Sequence, residues 1–192
     1  GGIDAFALGI YSVNPDAKVY VKVTNSWYDP KGEEEAAKTL LNMNCDVIAQ
    51  HCDTVYPQTL AQEKGVYSIG YNSDMSKEAP EACLCSVIWN WSAYYTSAVQ
   101  SVIDGTWDGS NYYGGMNENL VSITPVADFA VDTTQEKVNV AKQQILSGKN
   151  GVFDGVIETN TGATVGTAGK TLDDSVITGG INWYFKTVSV IE

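Results

Sequence analysis

The chain's one histidine stands in His51-Cys52-Asp53, which puts an imidazole, a thiol and a carboxylate side by side. Three other short clusters carry comparable groups: Asn25-Ser26-Trp27, Tyr71-Asn72-Ser73-Asp74 and Trp89-Asn90-Trp91. Aromatic faces stack on flat ligands, and Asp and Asn offer acceptors and donors to ring nitrogens, exocyclic amines or sugar hydroxyls. His51 with Asp53 also has the residue types for acid and base work on a glycosidic bond. No fuller catalytic set accompanies them: the sequence has no Ser-His-Asp arrangement with an oxyanion loop, no Gly-rich phosphate loop and no pair of histidines for a metal. Each residue also has a structural role open to it. Asp53 caps a helix starting after Thr54, Asp74 forms a turn, Trp27 covers a helix start and His51 makes a structural hydrogen bond. Trp89 and Trp91 alternate, so their side chains are expected on one side of a strand and Asn90 on the other.

The elements around these clusters are read from periodicity. Ile3, Phe6, Ala7, Ile10 and Val13 have helical spacing, which Asn14-Pro15-Asp16 stops. Lys18 to Val23 alternates as a strand. It gives way at Thr24 to Pro30 to a helix running to about Met43, with Asp29 as its cap, Pro30 in its first turn, Glu33 to Glu35 against the dipole, and Ala36, Ala37, Leu40 and Leu41 as its buried stripe. A strand over Asp46 to Gln50 leads to His51, a helix over Pro57 to Lys64 ends at Gly65, and a strand over Val66 to Ile69 leads to Gly70 through Asp74. A fourth strand, Leu84 to Trp89, precedes a helix capped by Ser92 with the stripe Tyr95, Ala98, Val99, Val102 and Ile103. Gly105 to Gly115 reads as a loop or hairpin, Leu120 to Thr124 as a strand, and Thr133 with Glu136 as a capping box for a helix to about Leu146, which Gly148 ends. From Val152 onward short strands and Gly/Thr turns predominate. The β-α repeat with crossovers of about 20 residues predicts an α/β fold with a parallel sheet flanked by helices. All four clusters then fall on one rim, outside the carboxyl ends of the strands, where open α/β sheets bind ligands.

Composition narrows the partners. The 192 residues include 23 acidic side chains against 11 lysines and no arginine, for a net charge of −12. Without arginine the chain lacks the usual bidentate group for phosphate and guanine, so nucleic acid is not an expected partner. No apolar run reaches the roughly 18 residues of a membrane helix. Cys45 and Cys52 bracket a strand and lie beyond disulfide reach of one another. Buried free thiols are the expectation for the four cysteines; a bridge from Cys52 to Cys83 or Cys85, or a thiolate site using His51, is the alternative.

Five segments together resemble the basic membrane protein family, substrate-binding lipoproteins of ABC importers related to a purine nucleoside receptor. They are Gly2 to Gly9, Thr24 to Pro30, Asp46 to His51, Lys64 to Tyr71 and Ser86 to Trp91, and Phe153-Asp154-Gly155 and Asn182-Trp183 also fit. The resemblance implies the second lobe of a type I periplasmic-binding-protein fold, with residues 1–88 as a ligand-binding lobe. Residues 89–115 would be a crossover packing on the first lobe, and 116–192 a return with C-terminal strands. It implies that the chain starts at the second lobe's first helix, so that the first lobe comes from another polypeptide or has been lost. It also implies an extracytoplasmic setting, at the cell surface as a lipoprotein or in the periplasm, and an ABC permease and ATPase as partners.

Carried over residue by residue, Trp27 matches the family's stacking aromatic, Cys52 and Asp53 the residues at the end of the next strand, and Asp74 the acid that takes ribose hydroxyls. Trp89 stands where nucleoside receptors of the family place a Lys, a departure that favours a bare base such as adenine over an intact nucleoside. The expected ligand residues are thus Trp27, His51, Cys52, Asp53, Asp74 and Trp89, with no cofactor and no metal. A nucleoside hydrolase using His51 and Asp53, and a ligand-sensing module of a regulatory protein, are the competing functions.

Overall fold

Helix and strand boundaries follow local chemistry closely. In the computed structural model, which describes residues 1–192, the elements in chain order are α1 (Gly2–Val13), β1 (Val19–Lys22), α2 (Pro30–Asn42), β2 (Val47–Ala49), α3 (Tyr56–Lys64), β3 (Tyr67–Asn72), β4 (Cys83–Trp89), α4 (Trp91–Ile103), β5 (Val121–Ile123), α5 (Thr134–Leu146), β6 (Asp154–Glu158), β7 (Thr164–Thr171), α6 (Asp174–Gly179) and β8 (Val188–Ile191). Gly65 ends α3 with φ 73°, a left-handed conformation that glycine takes without a Cβ penalty. No helix is long and apolar enough to cross a membrane.

The chain divides into two units, one formed by Gly1–Val23 with Asn139–Glu192 and the other by Thr24–Val138. In the first, Ala7, Val19, Phe153, Ile157, Phe185 and Val188 form the buried core. β1 pairs in parallel with β8, Val19 opposite Val188, and β6 and β7 form an antiparallel pair. Asp4 is buried here and accepts the Phe185 N–H at 2.7 Å. The expectation that the Lys18–Val23 strand joins the next three in one sheet is corrected, because its partner is β8, about 170 residues away. A local pattern carries no signal of that pairing, and the buried side chain of Val19 is satisfied equally well by the Val188 and Phe185 surface.

The second unit carries a four-stranded sheet in the order β2-β3-β4-β5. β2, β3 and β4 are parallel, and β5 runs antiparallel to β4. Leu41, Ile48 and Ala61 pack α2 and α3 onto β2, and Met75, Ala79, Ala82 and Cys83 bury the segment between β3 and β4. Gly70 on β3 leaves room for the Ser86 side chain of β4, whose hydroxyl accepts the Met75 N–H at 3.1 Å. A larger residue at Gly70 would collide with Ser86.

α4 departs from the expected pattern at both its start and its face. Ser92 does not cap it; its hydroxyl turns back to Asn90 Oδ1 at 2.5 Å. None of its residues is buried, and Val102 and Ile103 are 61% and 71% exposed. Thr133 takes φ 76° before α5, with the Thr134 hydroxyl donating to the Val131 carbonyl at 2.6 Å.

One carboxylate ties two strand-end turns together. Asp29 caps α2, accepting the Gly32 N–H at 3.0 Å, and the Asp29 N–H donates to Glu33 Oε1 at 3.1 Å, a reciprocal arrangement of the capping-box type. The other oxygen of Glu33 accepts both the Thr54 N–H at 3.2 Å and the Thr54 hydroxyl at 2.7 Å. Glu33 is 2% exposed, so water cannot replace these bonds. Glu33→Ala therefore leaves three donors without acceptors and is expected to lower stability by about 2–4 kcal/mol. A urea unfolding midpoint equal to wild type would contradict this.

Candidate functional site

The turns fixed by Glu33 carry the first of the chemical groups. Trp27 lies in the turn entering α2, and its carbonyl accepts the Asp53 N–H at 2.9 Å, which joins that turn to the one after β2. Cys52 adds a second link: its thiol lies 3.7 Å from the Ser26 carbonyl and 3.6 Å from the Thr24 hydroxyl. Beneath, Gln50 Nε2 donates to the Thr54 carbonyl at 2.7 Å and to Gln58 Oε1 at 2.9 Å, while Gln58 Nε2 donates to the Ile69 carbonyl at 3.1 Å. Gln58 is fully buried. This network holds the turn after β2 against β3.

Above it three rings stand in sequence. The His51 imidazole lies 5.5 Å from the Trp27 ring and 4.2 Å from the Tyr71 ring, tilted by 55° and 52°. Tyr71 is held in β3 opposite Val87. The next residue, Asn72, adopts φ 70°, a left-handed conformation that Asn tolerates better than most side chains, and its amide donates to Asp53 Oδ1 at 3.4 Å. Asp53 makes no hydrogen bond with His51, so the two do not form an acid–base couple in this state. Trp27 is 61% exposed, which leaves indole surface open to a ligand.

Electrostatics keep the thiol and imidazole uncharged. Burial pushes the Cys52 thiol above its ordinary value, which makes it a donor rather than a nucleophile. His51 is reached by solvent at its edge, yet exclusion of water by its neighbours lowers its pKa, an effect that the Asp53 carboxylate opposes.

The other two expected residues make local contacts of their own. Asp74 accepts the Ser76 N–H at 3.0 Å, a turn contact that, with the Ser76 hydroxyl, holds its carboxyl below the usual range. Trp89 is the last residue of β4, one beyond the Ile88 that pairs with Asn72, and stacks on Trp91 at 5.3 Å and 19°. Trp91 in turn stacks on Tyr95 at 5.9 Å. Trp89 and Trp91 thus share a side, as alternation predicts, although Trp91 already belongs to α4. Asn90 Nδ2 donates to the Asn119 carbonyl at 3.1 Å. Of the expected groups, Trp27, His51, Cys52 and Asp53 are linked by contacts between their two turns, while Asp74 bonds to Ser76 and Trp89 stacks on Trp91. Tyr71 and Asn72, which complete the first set, were visible in sequence only as part of the cluster after the third strand. Glu33 and Thr54 gave no site signal at all.

Open α/β sheets bind ligands outside the carboxyl ends of their parallel strands, which is where the turns after β2 and β3 lie. A profile of the family described as ABC transporter substrate-binding protein PnrA-like matches residues 1–153, and the chain belongs to that family. It is 37% identical over 187 residues to a purine-binding protein of Brucella abortus, covering 97% of this chain and 53% of that protein. It is also 34% identical over 153 residues to a putative ABC transporter glucose-binding protein of Haloferax volcanii, covering 80% of this chain and 39% of that one. The chain therefore spans about half the length, or less, of these curated relatives. The crystal structure of a transcriptional activator of the comK gene from Bacillus halodurans superposes with a TM-score of 0.63 at 15% identity, over 78% of this chain and 64% of that one, a likeness of fold.

The position of His51 between two rings yields a titration outcome. As the only histidine, its ring protons followed by NMR should titrate with a midpoint below the roughly 6.5 of a free imidazole. A histidine whose folded pKa is depressed contributes stability that is present above the unfolded value and lost as pH falls through the folded one. A midpoint above the free value would contradict the water exclusion seen at the ring.

Proposed function

We propose that this chain is the solute-binding component of an ABC importer and takes a purine base or nucleoside at the turns after β2 and β3 and before α2. The single observation that carries this reading is the ring set Trp27, His51 and Tyr71 beside the Asp53–Asn72 pair. The family membership and the purine-binding relative at 37% identity support it. In this reading Trp27 stacks on the base, His51 lines the site, Asp53 accepts an N–H of the ring, and the Cys52 thiol packs beside it as a neutral group. Asp74 takes ribose hydroxyls when a sugar is present. Trp89, an indole where nucleoside receptors have a Lys, favours a bare base such as adenine.

Residues 89–115 pack on the first lobe of a two-lobed fold. The exposed apolar face of α4 supports that part of the reading, since Tyr95, Val99, Val102 and Ile103 are one stripe without a charge. An extracytoplasmic, membrane-anchored setting with an ABC permease and ATPase as partners completes the proposal. A nucleoside hydrolase is disfavoured because Asp53 engages Asn72 instead of His51.

Equilibrium binding of adenine, adenosine, guanosine and inosine to the two-lobed protein tests the reading. Adenine is expected to bind tightest, and Trp27→Ala to weaken it about tenfold or more, the loss of one stacked base. A tenfold preference for nucleosides would overturn the bare-base assignment. Absence of binding by all four would overturn the purine reading, and release of free base from a nucleoside would favour the hydrolase.

A further inference from the structure

Within the ring set, the backbones of the two outer members are tied to neighbouring segments, and His51 lies in a turn between them. Trp27 is held through its own carbonyl by the Asp53 N–H. Tyr71 is held by pairing within β3. His51 lies beyond the end of β2, in the turn, and its side chain is exposed. Its ring makes the two ring contacts and no hydrogen bond through either nitrogen. It is nevertheless the ring that touches both walls, at 5.5 and 4.2 Å, whereas Trp27 and Tyr71 do not stack on each other.

An imidazole is also the five-membered half of a purine. A flat heteroaromatic ligand that stacks on Trp27 on the side turned toward Tyr71 meets the His51 ring already in contact there. We infer that in the unliganded chain His51 stands in for the ligand between Trp27 and Tyr71, and that binding requires its imidazole to leave that slot. The inference rests on the purine reading for the class of ligand and adds that His51 opposes binding. Its neutral state suits the role. A protonated ring between two aromatic faces would be held there by cation–π attraction, and the water exclusion that lowers its pKa removes that hold.

The test uses the 192-residue chain and adenine. The single histidine makes its ring-proton signals unambiguous by NMR. In the free chain they should be displaced by the ring currents of Trp27 and Tyr71, and saturation with adenine should return them toward the values of the unfolded chain. His51→Ala should bind adenine about 3- to 10-fold tighter than wild type, corresponding to a ring contact no longer broken on binding. Signals undisplaced in the free chain, or moved further from the unfolded values by adenine, would overturn the inference, as would weaker binding by His51→Ala. If wild type does not bind adenine but His51→Ala does, the stand-in role is supported in a stronger form. If neither binds, the purine reading fails and the stand-in role fails with it. Should His51→Ala fold poorly, the ring-proton readout on wild type still decides.

Discussion

The site depends on one buried carboxylate. Glu33 accepts the Asp29 N–H with one oxygen and both donors of Thr54 with the other, at 2.7 to 3.2 Å. Asp29 ends the turn that carries Trp27, and Thr54 ends the turn that carries His51, Cys52 and Asp53. A helix cap and a tertiary tie are here the same side chain. Glu33 and Thr54 are 21 residues apart in sequence, and the Asp53 N–H to Trp27 carbonyl bond joins the two turns again. Without the carboxylate the aromatic face would be a set of mobile loop side chains.

This arrangement is compatible with the neutral, flat ligand proposed for the site. The groups that face outward are uncharged rings, a thiol that burial keeps protonated and a carboxylate already paired with an amide. Nothing at this face is organised for phosphate. The second aromatic group, Trp89 on Trp91 on Tyr95, lies at the end of β4 on the same sheet but makes no ring contact with the first.

Most of the elements of the second unit were legible in sequence because their signals are local. The Asp29-Pro30 helix start, the Gly65 helix end and the polar clusters after each strand need only neighbours in the chain to be read. The partner of β1 was not legible: it lies in β8, and valine alternation in Val19 to Lys22 suits either sheet. The Ser92 cap was misplaced because Asn90 occupies the turn and takes the Ser92 hydroxyl. Within the site, the joining of the turns that carry Trp27 and His51 to Asp53 rests on contacts between residues far apart in sequence, and strand-end position alone says which rim a residue shares but not which way its side chain turns. Glu33 escaped notice because a glutamate in a helix's first turn has a sufficient explanation in the dipole, and its reach to Thr54 depends on tertiary geometry.

The most direct test of the account is a crystal structure of the chain grown with adenine. The account predicts the purine stacked on the Trp27 indole, an edge of its ring at Asp53, and the His51 imidazole swung out from between Trp27 and Tyr71. Adenine bound elsewhere on the chain, with His51 still lodged between the two rings, would contradict it.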